Sequence, residues 1–212
     1  MGADPTAAFA HLRRVDRVLG GLIEAHGVRI ESDANGDRDH YAALVRSIVG
    51  QQLSTGVARV LWGRLLERFD GRPPTPAAIL ADDPDALRAA VGLSRAKTGF
   101  LRSLAEHVES GELDLDHVAT LPDDELVREL TAVKGIGEWS AHMFLMFQLG
   151  RPDVLAWGDL GIRRAAQRAY RLEELPTRGE LTELAEPWRP YRSVACRVLW
   201  SSLDNEPAIR AR

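Results

Sequence analysis

Two glycines separated by one residue, Gly135-Ile136-Gly137, within the stretch 130–147 (LTAVKGIGEWSAHMFLMF), constrain this chain more than any other feature. Upstream, Pro122 and the acidic run Asp123, Asp124 and Glu125 suit a helix start. Leu126, Leu130 and Val133 recur at helical spacing, which predicts a helix ending near Val133. Glycines at 135 and 137 open backbone angles closed to other residues, and without side chains they let another molecule approach the main chain. Ile136 is placed to plug the space between two helices. Beyond the turn, the N–H groups of a helix opening at Glu138 face outward at the positive end of its dipole, which suits a nucleic-acid phosphate. The same pattern also serves as a plain helix–helix corner, since short glycine patterns recur by accident. Other stretches must decide between the two.

A chain of 212 residues, 45% of them hydrophobic, can bury one large core or two modest ones. Arg13, Arg14, Asp16, Arg17 and Glu24 interrupt the first 30 residues, so neither a signal sequence nor a membrane span is expected, and the protein is read as cytoplasmic. A single cysteine, Cys196, excludes an intrachain disulfide and a four-cysteine zinc or iron–sulfur site. The histidines show no metal-ligand spacing, and no catalytic metal is expected. A net charge of −4 argues against non-specific coating of nucleic acid. Local charge differs from the sum. Arg88, Arg95, Lys97 and Arg102 share an acid-free stretch, and Arg163, Arg164, Arg168 and Arg171 lie close together. Each group either lines a groove or forms an ordinary solvated helix face.

Apolar spacing predicts helices over Thr6 to His26, His40 to Val49, Ser54 to Phe69 with Val57, Val60, Leu61 and Leu65 as its apolar line, 76–81, 84–90 and Ser94 to Glu109. After the hairpin come Leu160 to Tyr170, a helix capped by Thr177, and a last helix entered at Pro190. No alternating stretch is long enough for a strand, so the fold class is all-α. The break at Gly50-Gln51-Gln52-Leu53 displays two amides and a leucine between helices. Such residues suit hydrogen bonding or wedging, or the bracing of a loop.

Two ingredients carry chemistry. Asp159 follows a glycine and precedes a helix, a good N-cap position, and helix N–H groups at its side chain favour a charged carboxylate with an electrostatic or base role. Trp139, Trp157 and Trp200, joined by Met143, Phe144 and Met146, are either core or the walls of a cup for a flat, positively charged ring.

The segments VKGIGEWSAHMFLMF, SIVGQQLS at 47–54, Asp159, and WRPYRSVACRVLW at 188–200 together resemble the helix–hairpin–helix DNA glycosylases, most of all the 3-methyladenine DNA glycosylase II (AlkA-like) branch. The resemblance spans roughly 38–205. It implies two helical lobes, one of 38–149 ending in the hairpin (about 122–147) and one of 1–37 plus 150–212, with a flipped nucleotide received between them. It implies Asp159 as the catalytic aspartate. Trp139, Trp200, Met143, Phe144 and Trp157 are the implied base pocket, and Lys134, Gly135, Ile136 and Gly137 the implied phosphate grip. Gln51, Gln52 and Leu53 match the loop that wedges into the helix, with the intercalating residue left open. A sodium or potassium ion bridging hairpin carbonyls to phosphate is implied, and no other cofactor.

Departures from the family pattern refine the expectation. Strand-cutting relatives carry a Schiff-base lysine where this chain has Trp139, so base removal without strand cleavage is expected. The cysteine cluster of the iron–sulfur branch is absent. At this length the short form, without an extra N-terminal domain, is expected. The expected substrate is double-stranded DNA with alkylated purines such as 3-methyladenine and 7-methylguanine, acted on by a monomer. A non-catalytic DNA-binding module, with Asp159 only a helix cap, is the alternative reading, and a helical scaffold for protein partners is a third.

Overall fold

The computed structural model describes residues 4–26 and 39–204. The polar stretch expected between the first two helices falls mostly outside them. Among the described residues there are helices and no strands. In chain order these are α1 (Pro5–Val15), α2 (Arg17–His26), α3 (His40–Gly50), α4 (Thr55–Arg68), α5 (Pro76–Ala81), α6 (Pro84–Val91), α7 (Arg95–Glu109), α8 (Leu115–Val118), α9 (Asp123–Ala132) and α10 (Glu138–Met143). A π-helical turn, Phe144–Gln148, continues α10, and α11 (Leu160–Ala169), α12 (Arg178–Ala185), a 3₁₀ turn (Glu186–Trp188) and α13 (Arg192–Asp204) complete the chain. None of the described helices is long and apolar enough to cross a membrane.

The chain divides into two compact units. One draws on both ends, up to Gly36 and from Leu145 onward, and the other is the middle, Asp37–Phe144. In the terminal unit α13 packs on α2 and α11, and α1 packs on α2. Leu12, Leu19, Ile162, Leu181, Trp188, Val198 and Leu199 form its core. The single helix expected from Thr6 to His26 is broken at Asp16, whose backbone is extended at φ −143°. Periodicity runs straight through this break because α1 and α2 bury the same kind of apolar line. What stops the helix is polar: Asp16 Oδ1 accepts from the N–H groups of Val18 and Leu19, capping α2. Its Oδ2 accepts from the Tyr170 hydroxyl at 2.6 Å and the Trp188 indole at 2.8 Å. Burial and the neighbouring carboxylate push the Tyr170 phenol far above its ordinary range.

In the middle unit α5 and α3 pack on α7, and α4 packs on α3 and α6. Leu44, Ile48, Leu65, Ile79, Leu87, Leu101, Leu104, Leu126 and Leu130 are its core. Val57 and Val60, expected on the apolar line of α4, are 47% and 52% exposed, whereas Leu61 and Leu65 are buried. Spacing shows which side of a helix is apolar; how far along the helix its neighbours reach is set by α3 and α6. The short α8 escaped the sequence reading, since one turn is too short to show a period.

Candidate active site

The loop Val154–Gly158 delivers Asp159 to the N-cap of α11, as its position after glycine predicts. Asp159 Oδ1 accepts from the Ile162 N–H at 2.8 Å and from the Trp200 indole N–H at 2.9 Å. Two charge-assisted donors converge on one oxygen and fix the carboxylate's direction. Gly161 makes this convergence fit. A Cβ there would lie 2.9 Å from Asp159 Oδ1, too close for the present arrangement, and 3.2 Å from the Trp200 indole, a tighter contact than side chains normally make.

Trp200 thus belongs beside Asp159, with its N–H edge committed to the carboxylate. Its ring stacks with Phe147 at a centroid distance of 5.8 Å and an interplanar angle of 24°. Phe147 is 40% exposed, and the Arg197 guanidinium lies 4.7 Å from its ring centroid while Nη2 donates to the Met146 carbonyl at 3.3 Å. Sequence reasoning missed both Phe147 and Arg197. The run Phe144–Phe147 is apolar without a break, so its spacing does not tell which side faces out; it forms a π-helical turn in which Phe147 is exposed while Leu145 and Met146 are buried.

Two residues assigned to the base pocket are otherwise engaged. Phe144 is 5% exposed and stands edge-on to His40 inside the middle unit, a core position. Trp157 is half-buried with the Arg178 guanidinium 4.5 Å from its ring centroid, so a cation of the protein's own already lies against this indole. Met143 is half-buried, and Trp139 is 40% exposed.

The hairpin lies within the middle unit. Of its two glycines only Gly135 uses the left-handed region, at φ +96°. A Cβ on Gly135 would run into the Phe100 ring. Gly137, the N-cap of α10, is extended at φ −95° and ψ 171°, so freedom of backbone angle does not explain it. A Cβ there meets nothing within 4 Å, which leaves open space for an approaching group. Ile136 is buried, as expected of a plug, and its side chain is therefore closed to DNA; only the main chain of that residue can take part. Lys134 is exposed.

In the loop ahead of α4 the three wedge candidates part company. Gln51 turns inward and its amide donates to the Gly135 carbonyl at 2.9 Å and to Ser140 Oγ at 3.3 Å. Gln52 and Leu53 face outward, with Gln52 at φ +57°. Most of the first basic cluster serves the fold instead of a groove. Arg88 pairs with Asp85, Lys97 Nζ donates to the Val49 carbonyl at 2.8 Å, and Arg102 donates to the carbonyls of Ile79, Leu80 and Asp82 at the end of α5. Of the second cluster, Arg163 donates to the Pro176 carbonyl, while Arg164, Arg168 and Arg171 are exposed.

With this geometry in view, comparison with known families matches residues 45–190 to the HhH-GPD superfamily, described as base excision DNA repair proteins. The chain belongs to the HhH-GPD superfamily. It is 32% identical to DNA-3-methyladenine glycosylase 1 of Schizosaccharomyces pombe over 93% of this chain and 87% of that protein. It is 31% identical to DNA-3-methyladenine glycosylase 2 of Escherichia coli over 80% of this chain and 60% of that protein. Among solved structures, the fission-yeast 3-methyladenine DNA glycosylase in complex with abasic DNA superposes with a TM-score of 0.85 at 31% identity, covering 93% of this chain and 97% of that one. The DNA-3-methyladenine glycosidase of Bacillus halodurans gives 0.79 at 35% identity, covering 96% and 90%.

Proposed function

We infer that this HhH-GPD protein is a DNA glycosylase of base excision repair that hydrolyses the N-glycosidic bond of alkylated bases in double-stranded DNA, with Asp159 as its catalytic carboxylate. The observation that carries the assignment is the carboxylate held by two N–H donors, beside an indole stacked on an exposed phenylalanine. The names of relatives aligned over most of the chain point to the same substrate class.

The chemistry follows from the charge of the substrate. A purine alkylated at N3 or N7 is already a cation, so its bond to deoxyribose is weakened and little acid help is needed. As the bond breaks the sugar becomes oxocarbenium-like, and a fixed carboxylate beside it stabilises that charge without reorganising. Asp159 supplies the charge and orients the attacking water. The Trp200 and Ile162 donors keep the carboxylate aimed while it remains an acceptor. The exposed ring of Phe147, stacked on the Trp200 indole beside the carboxylate, offers a face on which a cationic base stacks. Trp139 stands where strand-cutting relatives have a lysine, and an indole cannot form a Schiff base, so the reaction ends at the abasic site.

The hairpin is assigned the phosphate grip, through the open approach at Gly137 and the exposed Lys134. Turn carbonyls such as those of Val133 and Ile136 are hard oxygen donors of the kind a sodium or potassium ion takes, and the ion would add positive charge toward the phosphate. Of these carbonyls, that of Gly135 already accepts from the Gln51 amide and that of Val133 from the Ile136 N–H, each keeping a second lone pair for an ion. A monomer suffices for this reaction.

The test is single-turnover release of 3-methyladenine and 7-methylguanine from methylated duplex DNA, with freed bases identified by chromatography. Wild-type protein is expected to release both. Asp159→Asn, which keeps the cap geometry and loses the charge, should slow release by about a hundredfold or more while retaining duplex affinity. Undiminished release by the variant removes Asp159 from the chemistry.

A further inference from the structure

We propose that Gln51 is a positioning residue that yokes the loop Gly50–Leu53 to the hairpin, so that the residues displayed for insertion into DNA are set by the same element that grips phosphate. The proposal deepens the function inferred above and rests on it for the identity of the inserted-into molecule. One side-chain amide, half-buried, spends both hydrogens across 84 and 89 residues of chain, on the Gly135 carbonyl at the hairpin turn and on Ser140 Oγ in α10. Ser140 is 4% exposed, so the grip is on the inside of the hairpin's second helix.

The loop is held from its other side as well. Lys97 on α7 donates Nζ to the Val49 carbonyl at 2.8 Å, taking up one of the carbonyls left over at the end of α3. Dehydration at that position lowers the affinity of the lysine for its proton, which an exposed surface lysine would not show. Phe100, one turn along α7, lies against Gly135. Loop, hairpin and α7 therefore close a ring of contacts within one unit. The backbone of Gln51 donates to the Ser47 and Ile48 carbonyls, and that of Leu53 to the Gly50 carbonyl.

The outcome of this bracing is an outward display. Gln52 is held at φ +57°, a conformation non-glycine residues rarely adopt, and Leu53 is 38% exposed. Gln52 and Leu53 close a hydrogen-bonded turn, Leu53 N–H to the Gly50 carbonyl, whose third position takes a positive φ, and both face solvent on this doubly anchored loop. They have a use if the loop must enter a base stack at a fixed distance from a gripped phosphate, with its ordering cost met before binding.

The experiment compares wild type, Gln51→Leu (same length, no donors) and Lys97→Met on two duplexes: an undamaged one, and one with a tetrahydrofuran abasic analogue flanked by 2-aminopurine. Each protein is first shown to melt cooperatively. Both variants are expected to keep wild-type affinity and salt slope on undamaged duplex, since the hairpin is intact and Lys97 is not a phosphate contact. Both should lose most of the 2-aminopurine fluorescence change at saturating protein and about tenfold in single-turnover base release. Wild-type fluorescence and release in Gln51→Leu overturns the proposal, as does an equal loss of undamaged-duplex binding, which makes the amide a prop of the hairpin alone. No fluorescence change with wild type also overturns it. If wild type releases no base from methylated DNA yet Gln51→Leu still loses the fluorescence change, the yoke stands and the glycosylase assignment is what fails.

Discussion

The Trp200 indole donates to Asp159 Oδ1 at 2.9 Å, on the same oxygen that the α11 backbone caps through Ile162. A capping aspartate satisfied by its own helix needs no indole. The second donor aims the carboxylate, and an N–H donor to a charged group is worth about 1.5–3 kcal/mol. Trp200→Phe keeps an aromatic surface and removes only the donor. Base release should fall roughly ten- to a hundredfold, with duplex affinity close to wild type, in single-turnover excision paired with a binding titration. Equal losses in binding and rate would show that the ring, and not its N–H, is what matters.

Gly161 is the silent member of this group. The Cβ of alanine would sit 2.9 Å from the carboxylate oxygen and 3.2 Å from the indole, so one of the two must move. Its helical backbone tolerates alanine, which is the better helix former by about 1 kcal/mol. Gly161→Ala is therefore expected to leave the melting temperature near wild type while base release drops at least about tenfold. Thermal unfolding and excision measured on one preparation check the separation.

The sequence carried much of this site because its chemistry is local. A glycine, an aspartate and the start of a helical period placed the cap at Asp159, and Pro-Asp-Asp-Glu before an apolar stripe placed α9. What stayed hidden depends on partners distant in the chain. The break at Asp16 is made by Tyr170 and Trp188. The inward turn of Gln51 is made by Gly135 and Ser140, and Phe147 is exposed within a π-helical turn that an unbroken apolar run does not announce. The basic cluster 88–102 stayed open between two readings for the same reason. Charge counts do not show that Arg102 caps the end of α5 and that Lys97 holds Val49.

Arg68 holds Asp82 through Nε at 3.1 Å and Nη2 at 2.7 Å, joining α4 to the residue that ends α5. These hydrogen bonds keep the Asp82 carboxyl below the usual carboxylate range. The folded value lies below the unfolded one, so the stabilisation is fully present above the unfolded value, about pH 4, and disappears as pH falls through the folded value. Asp82→Asn should lower the melting temperature at pH 7 and narrow its gap to wild type as the pH drops below about 4. A gap independent of pH would remove the pair from acid stability.

The two hairpin glycines should separate when each is replaced by alanine. At Gly135 the backbone sits at φ +96° and the added methyl runs into Phe100, so the cost falls on the folded protein. Backbone strain of this kind amounts to about 1–3 kcal/mol before any overpacking is added. Gly135→Ala should lower the melting temperature by several degrees, with DNA affinity falling as the hairpin distorts. At Gly137 the backbone is extended and a methyl touches nothing, so Gly137→Ala should melt with or slightly above wild type. If a phosphate closes on the main chain there, that methyl stands in its way, and duplex affinity should drop roughly tenfold with a shallower dependence on salt. Melting curves and salt-dependent titrations of both variants decide the matter. A Gly137→Ala protein that binds duplex like wild type would place the phosphate contact elsewhere, while the fate of Gly135→Ala in the melt tests the turn geometry independently of any ligand.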